Sequence, residues 1–322
     1  MTHDASDRCL SKQLRGIIPP MVTPLLDRDT LDIAGLERLV EHILAGGVHG
    51  LFLLGTTGEG PSLSYRLRRE LIERVCRQVD GRVPVLVGIT DTSFVESVRL
   101  ADHAADAGAD ALVLSTPYYH PIDAGSLLGY VERITEELPR PVVLYSIPSH
   151  TKAAFDRPTL ARAMELPNVI GLKDSSADLI HFHHVLRLAR QRSQWSVLMG
   201  PEELLAESVL LGGDGGVCGG ANLYPRLYVD LFHAAEAGDL TTARQLHQCV
   251  LQVAGTLYAI DSRPGSVIKG LKCALACLGI CRDTMAEPFE SFAEAERNTV
   301  RRHLDEIARL MSINARTSET AR

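Results

Sequence analysis

Lys173 closes an apolar run, Val169-Ile170-Gly171-Leu172, so its stem starts inside an apolar wall. Desolvation there favours the neutral amine, the form that attacks a carbonyl carbon; the alternative is a lysine that reaches solvent at a rim. Tyr145 closes the preceding run, Val142-Val143-Leu144. A phenol beside an amine nucleophile can pass protons, or it can simply hydrogen-bond a loop. Tyr118 and Tyr119 follow another apolar run with the same ambiguity. Gly55-Thr56-Thr57-Gly58-Glu59 offers two hydroxyls and several backbone amides between glycines. Such a concave donor set can hold a carboxylate; it is also what a tight turn with capping hydroxyls looks like. Taken together, an amine, a phenol and a carboxylate-sized cradle are what imine chemistry on a 2-oxo acid requires.

These groups must be brought to one place, and the chain around them is periodic. Short apolar runs at 16–23, 51–54, 83–89, 111–115, 141–146, 168–173, 195–200 and 215–218 alternate with amphipathic stretches. The spacing of Ile33, Leu36, Leu39, Val40, Ile43 and Leu44 suits one helix face, with Asp32 as N-cap. Further helices are expected at 64–79, 93–107, 124–138, 158–165, 178–191 and 201–211, with another from about Pro225. The strands are continuously apolar rather than alternating, as in parallel strands covered on both faces. Three junctions, AGGVHGLFLL, AGADALVLS and LGGDGGVC, carry glycine just past a helix end. Eight such units predict an α/β fold of the (β/α)8 TIM-barrel type. An open doubly wound sheet would want a glycine-rich turn after the first strand, and PPMVTP at 19–24 is not one. In a barrel, active sites sit at the carboxyl ends of the strands, where all the groups above fall. The expected organisation is a catalytic barrel over 13–235, a C-terminal extension over 236–312, and flexible tails at 1–12 and 313–322. The extension reads as three helices, 242–260, 266–278 and 289–311, packed on the barrel side or at a subunit contact.

Composition removes other classes. A net charge of −7, from 33 basic and 40 acidic residues, argues against a nucleic-acid surface. Aromatics at 5% leave little for a base-stacking platform. No run approaches the length of a membrane span. The first twelve residues lack the apolar core of a signal peptide. Seven scattered cysteines fit reduced thiols and a cytoplasmic setting. His181, His183 and His184 lie on a helix expected outside the barrel and have no obvious carboxylate partner, so they read as a solvated or interface face. Cys273, Cys277 and Cys281 read as a buried helix face, and Gly212 to Gly216 as the turn into the last strand.

Four segments in register, Gly55-Thr56-Thr57-Gly58-Glu59, Pro117-Tyr118-Tyr119, Tyr145-Ser146-Ile147-Pro148 and Gly171-Leu172-Lys173-Asp174, resemble the dihydrodipicolinate synthase / N-acetylneuraminate lyase family over about residues 14–310. The resemblance implies that Lys173 forms an imine with pyruvate and that Tyr145 passes protons during imine formation and carbon–carbon bond making or breaking. It implies that Gly55, Thr56 and Thr57 form the carboxylate site, with the threonines linked to Tyr145. Tyr119 matches a tyrosine that reaches across a dimer interface to complete a proton relay. Val217 and Gly200 match positions at the pyruvate end of the site. The implied assembly is a homotetramer, a dimer of dimers, needing no metal and no organic cofactor.

The sequence also departs from that pattern. In the synthases an arginine that binds the second substrate's carboxylate follows the stretch occupied here by Tyr145 to Ser149. His150 stands in its place, so a rigid bidentate fork is missing. Lys152 could substitute as a flexible point charge, and His120 could meet His150 at the mouth. Tyr65 and Arg68 occupy the positions of histidines found in lysine-inhibited synthases, which argues against lysine feedback. Thr56 stands where the sugar lyases usually carry serine, which disfavours but leaves open an N-acetylneuraminate lyase-like reading. The reading is therefore a pyruvate-dependent class I aldolase or lyase acting with an aldehyde. Its alternatives are a keto-deoxy sugar acid aldolase or dehydratase using the same imine, and a non-catalytic 2-oxo-acid-binding relative. Retention of Lys173, Tyr145, Thr56 and Tyr119 argues against the last.

Overall fold

The computed structural model describes residues 13–192 and 194–320. The segment 1–12, expected to be flexible, lies outside the described residues, as does Cys9. After β1 (Gly16–Ile17) comes an antiparallel hairpin, β2 (Leu25–Asp27) and β3 (Thr30–Leu31), that the sequence did not suggest. There follow α1 (Ile33–Ala45), β4 (Leu51–Leu53), α2 (Tyr65–Val79), β5 (Val85–Gly88), α3 (Phe94–Asp106), β6 (Ala111–Ser115) and α4 (Ala124–Glu137). Next are β7 (Val142–Ser146), a one-turn α5 (Pro148–Thr151), α6 (Arg157–Ala163), β8 (Val169–Asp174), α7 (Leu179–Ala189), β9 (Ser196–Met199), α8 (Leu205–Leu210), β10 (Gly215–Gly216) and α9 (Pro225–Glu236).

Apart from the hairpin, the eight strands form one sheet in the order β1-β10-β9-β8-β7-β6-β5-β4, every neighbouring pair parallel. The chain beyond β1 closes it. Phe52 donates its N–H to Pro19 and accepts from Met21, both at 2.9 Å, and Pro20 bridges Phe52. The two prolines explain why β1 is short: neither has an N–H to give the ladder. The result is a (β/α)8 barrel.

Strand alternation then builds two cores. Leu51, Leu53, Leu112, Leu114, Val142, Leu144 and Leu172 pack outward under the helices. Ile18, Phe52, Leu86, Val113, Val143, Tyr145, Leu198 and Val217 fill the interior. Helix starts are fixed by side-chain caps at Asp32, Ser64, Ser93, Asp123, Asp156, Asp178 and Asp239.

Beyond the barrel lie α10 (Leu240–Leu257), α11 (Ser266–Cys277) and α12 (Glu294–Thr320). α10 packs on α9 and α12, and α11 on α12. Val250, Val253, Leu257, Leu271, Val300 and Ile307 join the outer core rather than forming one of their own. The last helix starts five residues later than its apolar spacing predicts, after a loop containing Pro288, and its backbone stays helical to Thr320, through most of the segment expected to fray.

Candidate active site

Parallel pairing of β7 and β8 sets Tyr145 directly opposite Lys173. Both side chains enter the barrel, and both are buried, at 5% exposure. The Lys173 Nζ lies 3.9 Å from the centre of the Tyr145 ring and 5.2 Å from that of Phe52. Two ring faces therefore hold the amine. No carboxylate of the described residues lies within 4 Å of it, whereas buried Lys272 and Lys269 are both paired with acids.

The Gly55–Glu59 turn follows β4. The Thr56 hydroxyl lies 3.4 Å from the Tyr145 hydroxyl. The N–H groups of Glu59 and Gly60 close the turn onto the carbonyls of Thr56 and Gly55. Leu54 enters the turn at φ +59°, a strained conformation for a branched residue. Two glycines make this possible: a Cβ at Gly60 or Gly88 would stand 2.2 or 2.7 Å from the Leu54 carbonyl oxygen.

Glu59 does not point to a ligand-binding role; it is tied down. Its Oε2 is 2.6 Å from Lys272 Nζ on α11, and its Oε1 accepts the Ala286 N–H at 2.7 Å. The Gly58 carbonyl accepts from Thr23 at 2.7 Å. The Gly55–Glu59 turn is thus anchored to the C-terminal extension.

A cavity of about 410 Å³ is lined by Phe52 and Tyr145, the two rings that hold the amine, while Lys173 itself lies behind them, off the wall. Gly55, Thr56, Tyr145 and His150 line it, and so does Tyr118. Tyr119 does not: it is 76% exposed and packs edge-on against His120. His120 is likewise off the wall, whereas His150 is on it. Lys152 is an exposed, left-handed C-cap of α5 and contributes nothing to the wall. Thr57, Gly200 and Val217 also lie off the wall. Val217 packs in the interior beside Tyr145. Gly200 donates to Asp174 at 2.7 Å, and a Cβ there would meet the Ser175 hydroxyl at 1.9 Å.

Sequence reasoning missed four supports. Phe52 is half of the lysine's aromatic clamp. Pro264, Gly265, Ile268 and Phe289 of the extension form part of the cavity wall. Arg68 makes a buried pair with Asp91 at 3.1 Å, and Tyr65 donates to the same carboxylate. Burial opposes the Asp91 charge, but the Ser93 N–H, the Tyr65 hydroxyl and Arg68 outweigh it and hold the pKa below the usual value. Glu202, fully buried, accepts from Tyr228 at 2.5 Å, Tyr258 at 2.7 Å and the Gly220 N–H at 2.8 Å. Burial nonetheless pushes its pKa up. This cluster clips the loops after β9 and β10 to α9 and α10. None of these four carries a local signal; the buried Lys272 does, as a charge within Gly270-Leu271-Lys272-Cys273-Ala274.

At the rim, loss of hydration and then the charge of Lys173 hold the His150 pKa below its usual 6.5. Burial raises the Tyr118 phenol above 10.

The dihydrodipicolinate synthetase family model matches residues 13–307. The chain belongs to that family. A solved relative, dihydrodipicolinate synthase from Bacteroides thetaiotaomicron, superposes with a TM-score of 0.90 at 51% identity, covering 92% of this chain and all of the other. The probable 2-dehydro-3-deoxy-D-pentonate aldolase YjhH of Escherichia coli is 34% identical over 279 residues, 86% of this chain and 91% of that one. The Escherichia coli protein YagE, solved in complex with pyruvate, superposes with a TM-score of 0.85 at 30% identity, over 91% and 98% of the two chains. This member of the dihydrodipicolinate synthetase family is accordingly a lyase of the class I aldolase type. No described helix is long and apolar enough to cross a membrane.

Proposed function

We propose that the enzyme joins pyruvate to an aldehyde, or cleaves the adduct, through an imine on Lys173. The observation that carries this is the unpaired amine of Lys173 against the Tyr145 ring, with Thr56 at the phenol. The amine attacks C2 of pyruvate, and the carbinolamine loses water to give the protonated imine. That imine withdraws electrons from C3, so loss of a methyl proton yields an enamine. The enamine carbon attacks the aldehyde carbon, the new alkoxide takes a proton, and water releases the product from the lysine. Cleavage runs these steps in reverse. Tyr145 is the group placed to carry protons at the nitrogen and the alkoxide, with Thr56 orienting its hydroxyl. The N–H groups of Thr56 and Thr57, which the turn leaves unused, suit the pyruvate carboxylate.

We further propose that Tyr119 acts on a neighbouring copy in a homotetramer built as a dimer of dimers, since its exposed ring has no access to its own cavity. The six cysteines among the described residues form no disulfide, which supports a cytoplasmic setting. The test is borohydride reduction in the presence of pyruvate, followed by intact mass and peptide mapping. A reduced pyruvate adduct on Lys173 is expected. Folded enzyme without an adduct, or an adduct elsewhere, refutes the reading.

A further inference from the structure

Among the described residues, the acceptor end of the cavity carries no usable positive charge. Of the residues on its wall, Glu59 is neutralised by Lys272, and His150 is the one basic side chain. The nearby cations are committed elsewhere. Arg68 pairs with Asp91, while Arg263 and Lys269 share Asp261 at 2.7 and 3.5 Å. His150 stands at the rim, and Lys173 opposes its protonation. The apolar part of the wall is Val113 and Ile147 from the barrel, with Pro264, Ile268 and Phe289 from the extension; Ser62, Thr90, Ser115, Tyr118 and Thr151 add uncharged hydroxyls. A carboxylate brought here would lose hydration without gaining a charged partner, whereas an uncharged polar group is served by the hydroxyls.

We infer that the acceptor aldehyde is uncharged, that its apolar portion rests on Pro264, Ile268 and Phe289, and that this wall together with His150 selects against aldehydes bearing a carboxylate. The inference rests on the proposed pyruvate chemistry but fails separately from it. Pyruvate trapping on the wild-type enzyme tests the chemistry. The acceptor is tested with two four-carbon aldehydes that differ at the far end, butanal with a methyl and succinic semialdehyde with a carboxylate.

With pyruvate saturating, kcat/KM for butanal should exceed that for succinic semialdehyde by about 10- to 100-fold, the range for an unpaired charge. His150→Arg should narrow that ratio at least about tenfold by restoring a carboxylate fork. Phe289→Ala should raise KM for butanal about tenfold, with less change for succinic semialdehyde. Equal kcat/KM values, or a preference for succinic semialdehyde, overturn the inference. Where neither aldehyde turns over, each is titrated as an inhibitor of pyruvate methyl-proton exchange with D2O. Tighter inhibition by butanal supports the inference; equal, reversed or absent inhibition overturns it.

Discussion

Lys272→Met isolates what the extension does for the active-site turn. Lys272 is fully buried, and its partner Glu59 has a side chain only 2% exposed. Their 2.6 Å contact is therefore beyond the reach of solvent screening. Methionine keeps most of the stem volume but leaves the Glu59 carboxylate with one donor, the Ala286 N–H. Removing one partner of a buried ion pair costs about 3–5 kcal/mol. At about 2 °C per kcal/mol for a chain of this size, the apparent Tm should fall by roughly 6–10 °C. The cost belongs to the stranded charge, so it should be largely reversible. Glu59→Gln with Lys272→Met removes the charge and keeps an acceptor for Ala286, and it should recover half or more of the loss. Thermal and urea unfolding of the wild type, both single variants and the double variant measure this. A loss below about 1 kcal/mol in Lys272→Met, or a double variant no more stable than that single one, refutes the reasoning.

Tyr145→Phe should lower kcat about 10²- to 10⁴-fold while a pyruvate adduct can still be trapped; retention of a tenth of kcat or more removes Tyr145 from the proton path. Gly200→Ala must displace Ser175 or the Asp174 carbonyl, with Cβ distances of 1.9 and 2.9 Å. It should destabilise by about 1–3 kcal/mol in urea unfolding, and Ser175→Gly in the same chain should relieve part of that. Asp91 has a depressed pKa, so its stabilising effect is present above the usual carboxylate value of 3.8 and is lost as pH falls through its folded value. The stability gap between wild type and Asp91→Asn should therefore be full near neutrality and shrink below pH 3.8, as read from urea midpoints across that range.

The barrel was legible because each unit repeats the same local statement: an apolar run, a polar exit and an amphipathic return. Lys173 and Tyr145 were legible for the same reason, since each ends a run and parallel neighbours place such ends side by side. What escaped depended on partners far away in the chain. Glu59 ends a turn whose local sequence says nothing of its partner, Lys272, 213 positions on. Tyr118 and Tyr119 are indistinguishable by period, because the loop leaving β6 decides which ring turns inward. The hairpin at β2 and β3 has only five strand residues around Arg28 and Asp29, too few for a periodic signal. The extension's helices were visible, but nothing local shows that Ile268 and Phe289 face the reaction cavity.

The anchoring of Glu59 to Lys272 also orders events in time. A chain is made from its amino end, so the turn, the phenol and the amine all exist before Ile268, Lys272 and Phe289 have been synthesised. Until those residues dock, the nascent barrel holds the Glu59 carboxylate without its counter-ion, and the cavity lacks part of its wall. The proposed reaction site is therefore completed by a segment made only after the whole barrel. Ribosome-bound chains that already contain the whole barrel should remain inert toward substrate until the extension has emerged and packed.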